Sequence, residues 1–265
     1  MNCCAAQVSG SWEKPDESLR TARVLIREAK EAGAALIAFP EQYPTGWNPL
    51  SRTNIEDSGG FVVSRFRELA RENSIALLGS FRELYSPRPR NTAVAMGKNG
   101  SILTTYAKMH LFTPGNEDRA FTAGDSIATF SLDGVRFGIA ICYDIRFPDL
   151  FCIYRSAGVH AVIVPAAWPQ NRIKYWELFI RSRAAENQMY IIGVNTTGTN
   201  PVDSYSGQSM VADPYGNIIA RAGTGEELLY AEIDPDLVER TRKDFPVAED
   251  RRDALYSALR NCSRA

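Results

Sequence analysis

Three residues with chemically useful side chains stand at or just beyond the ends of apolar runs in this chain. A carboxylate, Glu41, follows Ala34-Ala35-Leu36-Ile37-Ala38-Phe39-Pro40. An ammonium, Lys108, follows the run Ile102–Tyr106, and a thiol, Cys142, ends Val135–Ile141. A thiolate is a strong nucleophile when a neighbour accepts its proton and a cation steadies its charge. The loop after Glu41, Gln42-Tyr43-Pro44-Thr45-Gly46-Trp47, walls the carboxylate with prolines and aromatics. Desolvation there raises a glutamate pKa toward general-base values. After Cys142 the pattern turns polar in Tyr143-Asp144-Ile145-Arg146, and the backbone N–H of Tyr143 opens the turn toward an oxyanion. Histidine is the usual partner of a nucleophilic thiol, and the chain has two, His110 and His160. A Cys142–His110 dyad therefore stays open beside the carboxylate alternative. His160, just before Ala161–Val164, reads as a strand-start packing residue.

The elements that would hold these groups alternate along the whole chain. Strands are expected at Cys3–Gln7, Ala34–Phe39, Ile75–Arg82, Ala161–Val164, Tyr190–Asn195 and Leu228–Ile233. Hairpins are expected around Gly97-Lys98-Asn99-Gly100, Asp133-Gly134 and Asp213–Asn217. Helices are expected near residues 16–32, 60–73, 148–157, 176–187 and 235–243. The hairpin regions Ala93–Tyr106 and Met210–Arg221 share a layout, which hints at two related halves. No linker divides the 265 residues, so one domain (1–265) of mixed α/β type is expected.

Bulk properties narrow the function. A net charge of −1 gives no basic surplus for nucleic acid. No apolar run approaches the ~20 residues of a membrane span, and Met1–Gln7 lacks the form of a signal peptide. The five cysteines, Cys3, Cys4, Cys142, Cys152 and Cys262, follow neither a disulfide framework nor a zinc pattern. Reduced thiols in a cytoplasmic protein are expected. Cys3, Cys4 and Cys152 read as core and Cys262 as tail.

The blocks Phe39-Pro40-Glu41, Tyr106-Ala107-Lys108-Met109-His110-Leu111 and Cys142-Tyr143-Asp144-Ile145-Arg146-Phe147-Pro148 resemble, in order and separation, the signature blocks of the nitrilase superfamily of carbon–nitrogen hydrolases. The resemblance continues through Pro165-Ala166-Ala167-Trp168, Arg183–Gln188, Gly207-Gln208-Ser209 and Phe245-Pro246. It implies a four-layer α-β-β-α sandwich and no metal or organic cofactor. It implies Glu41 as general base, Cys142 as nucleophile, and Lys108 with the Tyr143 N–H as oxyanion site. Glu117 would position the substrate amide and the lysine. The Cys-Tyr-Asp pattern resembles the amidase branches, ω-amidases of 2-oxoglutaramate type among them. N-carbamoyl amidohydrolases and deaminated-glutathione amidases are the alternatives, and a catalytically silent binding protein on the same fold is the non-enzyme one. Ala167, Trp168 and Arg172 are expected to line the pocket, Arg172 pairing with a substrate carboxylate. A small amide is the expected partner, together with a second copy of the chain reached through the Pro235–Ala265 region.

Overall fold

A computed structural model of the chain describes residues 1–262, so the last three positions of the expected tail lie outside the described residues. The first half contains β1 (Asn2–Gln7), α1 (Pro15–Glu31), β2 (Leu36–Ala38), β3 (Ile55–Glu56), α2 (Phe61–Asn73), β4 (Ala76–Glu83), β5 (Arg90–Met96), β6 (Ile102–Ala107) and the short α3 (Glu117–Ala120). The second half contains β7 (Thr129–Leu132), β8 (Val135–Ile139), α4 (Pro148–Ser156), β9 (Ala161–Ala166), α5 (Ile173–Asn187), β10 (Tyr190–Asn195) and β11 (Thr197–Thr199). It continues with β12 (Ser204–Ser206), β13 (Met210–Ala212), β14 (Ile218–Arg221), β15 (Glu227–Glu232), α6 (Pro235–Asp244) and α7 (Asp253–Cys262).

Beside the small pair β11-β12, two large sheets result, ordered β15-β1-β2-β4-β5-β6 (with β3 on β4) and β14-β13-β10-β9-β8-β7. Each has three parallel strands, β1-β2-β4 or β8-β9-β10, and each adds an antiparallel hairpin to that triplet, β5-β6 or β13-β14. The two-halves pattern in the sequence is this shared plan.

Strand alternation explains the layering. In β1, Cys3 and Ala5 face the second sheet with Leu36, Ala38, Ala76 and Leu78, whereas Cys4 and Ala6 face Leu19, Ala22 and Ile26 of α1 and Phe66 of α2. Small residues on the inner face let β1 pack against β10. On the far side Leu150 and Phe151 of α4 and Trp176 and Ile180 of α5 cover the second sheet. The protein is thus an α-β-β-α sandwich. Gly138 marks how tightly α4 lies on β8, because a Cβ there would stand 2.7 Å from the Tyr154 ring.

Several expectations move. The helix expected from residue 176 starts at Ile173, and the strand 34–39 contracts to Leu36–Ala38, because Phe39 and Pro40 already belong to the turn before Glu41. The β11–β12 hairpin, built on three-residue strands, and the amphipathic α7 were not among the expected elements. Cys3 and Cys4 are core, but Cys152 is only half-buried on α4, with Arg251 Nη1 3.1 Å from its sulfur. Exposed Cys262 closes α7. Among the described residues no helix is long and apolar enough to cross a membrane.

Candidate active site

Each chemically useful side chain leaves the end of a strand. Glu41 follows β2 through Phe39 and Pro40, in a loop fixed to β4 by the Gln42 N–H, which donates to Ser80 Oγ at 2.6 Å. Lys108 directly follows β6, its N–H donating to the Asn91 carbonyl at 2.8 Å. Cys142 lies beyond β8 at the start of a 3-10 turn, Cys142–Arg146, and α4 begins only at Pro148. Its φ is +46°, a left-handed conformation uncommon outside glycine, so the chain bends sharply where the thiol is presented.

These ends converge. Lys108 Nζ stands 2.8 Å from Glu41 Oε1 and 2.8 Å from Glu117 Oε2. Asn91 Nδ2 donates to Glu41 Oε1 at 2.7 Å and to Glu117 Oε1 at 3.0 Å. The Ala167 N–H donates to Glu41 Oε2 at 3.1 Å, and Glu41 stands near enough to the Cys142 thiol for its charge to act on it. Glu117 is fully buried at the head of α3, where it also accepts from the Phe112 N–H at 2.7 Å and Trp47 Nε1 at 3.3 Å.

Burial sets the protonation. It raises the Glu41 pKa, with Lys108 opposing and Glu117 adding to the rise. Burial alone would lower Lys108, but Glu117, Glu41 and Cys142 outweigh it and hold the ammonium charged. Burial would raise Glu117 as well, yet Lys108 and the donors around it carry it below the usual carboxylate range. The Cys142 thiol is pushed well up by burial and by Glu41. At rest the cluster is therefore a neutral thiol beside a carboxylate of raised pKa, with the ammonium held between two carboxylates. These groups titrate as a unit.

The cluster opens into a pocket lined by Tyr143, Trp168, Arg146 and Arg172, with Ala167 and Tyr205 in its wall. Trp168 is fixed by Asn195, whose Oδ1 accepts from its N–H at 2.7 Å. The Arg172 guanidinium lies 5.2 Å over the Phe112 ring, and although Asp203 lines the same pocket, no ion pair to Arg172 is formed among the described residues. A proton acceptor, a thiol, a fixed cation and a cationic pocket suit attack on a small acyl compound bearing an anionic end.

Comparison with known proteins identifies the family. The model of the family described as carbon-nitrogen hydrolase matches residues 4–243. The chain belongs to the carbon-nitrogen hydrolase family. It is 32% identical over 248 residues to the 2-oxoglutaramate amidase of Bacillus subtilis, covering 93% of this chain and 95% of that protein. The crystal structure of Saccharomyces cerevisiae Nit3, a member of branch 10 of the nitrilase superfamily, superposes with a TM-score of 0.87 at 29% identity, covering 95% of this chain and 96% of that one. The amidase of Nesterenkonia sp. AN1, in a glutamate-to-glutamine variant with acrylamide added at its active-site cysteine, gives a TM-score of 0.86 at 25% identity, over 98% and 99% of the two chains. The protein is thus a hydrolase acting on carbon–nitrogen bonds other than peptide bonds.

In this hydrolase His110 has another task than the dyad partner. Its Nδ1 lies 2.8 Å from Asp144 Oδ1, its ring stacks on Phe147 at 3.7 Å, and the ring does not line the pocket. The Cys142–His110 dyad is replaced by the Cys142–Glu41 contact. His160 Nδ1 accepts from the Arg136 N–H at 3.0 Å, a strand-end contact. Sequence reasoning missed Asn91, Tyr205, the contact of Trp47 with Glu117 and the organising role of Asp144. Buried Asp144 accepts at Oδ2 from the Ile141 N–H and Tyr106 Oη, both at 2.8 Å, and at Oδ1 from the His110 N–H at 2.9 Å. It ties the thiol's turn to the segment carrying Lys108. Its place two residues after Cys142, at a buried polar turn, was the available signal.

Proposed function

We propose that this hydrolase removes ammonia from small carboxylate-bearing monoamides of the 2-oxoglutaramate type. The observation that carries the reading is the buried Glu41–Lys108–Cys142 cluster, with Glu117 behind it, facing a pocket that holds the guanidinium of Arg172, which forms no ion pair among the described residues. The Bacillus relative's name agrees with it.

Cys142 Sγ attacks the amide carbon while Glu41 takes the thiol proton, which removes the need for a free thiolate of raised pKa. Lys108 and the Tyr143 backbone N–H hold the oxyanion, and each such donor contributes roughly 10²–10³ in rate. Glu41 passes its proton to the leaving nitrogen, ammonia departs and a thioester remains. Glu41 then deprotonates water, which attacks the thioester carbon and returns the thiol. Glu117 holds Lys108 in place and orients the amide. Tyr143, Ala167 and Trp168 shape the pocket, and Arg172 binds the far carboxylate.

The reading includes one domain, a cytoplasmic setting and a homodimer or larger homo-oligomer. Exposed Leu178 on α5 and Leu255, Tyr256 and Leu259 on α7 support pairing, which light scattering tests. Ammonia release across a panel tests the substrate: 2-oxoglutaramate, its carboxylate-free analogue, an N-carbamoyl amino acid and deaminated glutathione. A charge-assisted pair adds about 1.5–3 kcal/mol, so kcat/KM for 2-oxoglutaramate should exceed that for the neutral analogue by ~10–100-fold. Faster turnover of the neutral analogue or of the N-carbamoyl compound refutes it. Iodoacetamide labelling of Cys142 that substrate does not block would indicate a silent binding protein.

A further inference from the structure

The pocket of Cys142 is not the sole space that reaches Glu41. A second cavity of about 160 Å³ lies behind a wall made of Trp47, Ala167 and Tyr205, and Glu41 borders both spaces. The wall is one residue thick, since each of the three lines both cavities. Cys142, Lys108 and the two arginines face only the first. Ser9, Thr196, Thr199 and Asn200 face only the second. The second cavity therefore offers hydroxyls and an amide but no cation and no nucleophile. A polar space of that size holds several waters, one needing about 10–15 Å³.

The chemistry requires such a supply. Once ammonia has left, the acyl group stays bonded to Cys142 and fills the first pocket toward Arg172, so water from the substrate mouth meets a blocked path. The hydrolytic water has to stand within hydrogen-bond reach of Glu41 and close to the thioester carbon. Oε1 of Glu41 is occupied by Lys108 and Asn91, whereas Oε2 is held by the N–H of Ala167, a residue of the shared wall. The carboxylate oxygen on the wall side is the one placed to take a proton from an incoming water.

We propose that the second cavity is the inlet for hydrolytic water, which passes the Trp47–Tyr205 wall to Glu41 while the acyl group occupies the substrate mouth. The water oxygen bonds to the thioester carbon, the carbon–sulfur bond breaks, and the water's proton reaches the Cys142 sulfur through Glu41. The products are a carboxylic acid and the free thiol, with no change of oxidation state. The inference rests on the thioester mechanism above.

Thr199 provides the test, because it is exposed on β11 and borders only the second cavity. Thr199→Trp plugs that space, Thr199→Val keeps its size, and Ser9→Leu fills it from the β1 side should Thr199→Trp fail to fold. Rapid-mixing measurements of ammonia and acid release from 2-oxoglutaramate separate acylation from deacylation. The plugged variant should form the thioester at the wild-type rate but hydrolyse it about tenfold more slowly, with the acyl-enzyme accumulating in mass spectra. Thr199→Val should match the wild type. Unchanged deacylation in the plugged variant, or equal slowing of both steps, overturns the inlet. A wild-type enzyme that turns over without any acyl-enzyme overturns the thioester reading itself.

Discussion

Asp144→Asn is a near-isosteric change that tests how the site is held together. The Asp144 carboxylate accepts four hydrogen bonds, from the Ile141 N–H, Tyr106 Oη, the His110 N–H and His110 Nδ1. Asparagine keeps one oxygen, which can still serve Ile141 and Tyr106. Its amide nitrogen then faces the His110 side, where the imidazole can answer by switching tautomer but the backbone N–H cannot. One donor is orphaned, at about 1–3 kcal/mol, and the retained bonds lose charge assistance, so the loss should total roughly 2–4 kcal/mol. Urea unfolding measures it. Because Asp144 couples the Cys142 turn to the segment carrying Lys108, kcat should also fall, by about 10–100-fold, through misplacement of the oxyanion site. A variant with wild-type stability and kcat would refute the claim that this carboxylate positions the site.

Lys108→Met removes the cation between two buried carboxylates. It should lower kcat by ~10²–10³-fold and stability by about 3–5 kcal/mol. Without the ammonium both carboxylates have raised native pKa values, so the native state binds the extra protons and the destabilisation should grow as pH rises; a loss that grows toward acid pH contradicts this. The acid limb of kcat/KM should lie above the ordinary carboxylate range, because Glu41 must be ionised and its pKa is raised by burial. Glu117 adds to that rise, so Glu117→Gln should shift the limb to lower pH, and a shift upward counts against it. Arg172→Met should raise KM for 2-oxoglutaramate about 10–100-fold while leaving the neutral analogue unaffected, read from paired steady-state assays.

Two of the candidate residues were legible because each is a polar group set just past a buried apolar strand, a contrast that residue order displays. They are Glu41 beyond β2 and Cys142 beyond β8. What holds them was less visible. Asn91 sits inside β5 and meets Glu41 and Glu117 only in the folded sheet, where β4 stands between β5 and the strand that leads to Glu41. Trp47 reads as loop lining until the fold brings its indole to Glu117. Tyr205 rides on a hairpin of three-residue strands, too short for a periodic signal. His110 attracted attention by residue type, and its ring turned out to be engaged by Asp144 and Phe147. The helix expected near residues 148–157 forms at Pro148–Ser156, but the left-handed Cys142 backbone that starts the tight turn before it left no mark in the sequence.

The position of β1 in its sheet bears on how the protein is made. Its neighbours are β2 on one edge and β15 on the other, and the β15 partners lie 220 to 230 positions further along the chain, from Gln7↔Glu227 to Asn2↔Glu232. At a synthesis rate of 5–20 residues per second, the outer edge of β1 waits about 10–50 s on the ribosome for its mate. The edge left open is an apolar strand, the kind that recruits strands from other chains. Yield in a translating cell should therefore depend on whatever shields that edge during elongation, far more than on the equilibrium stability of the finished sandwich.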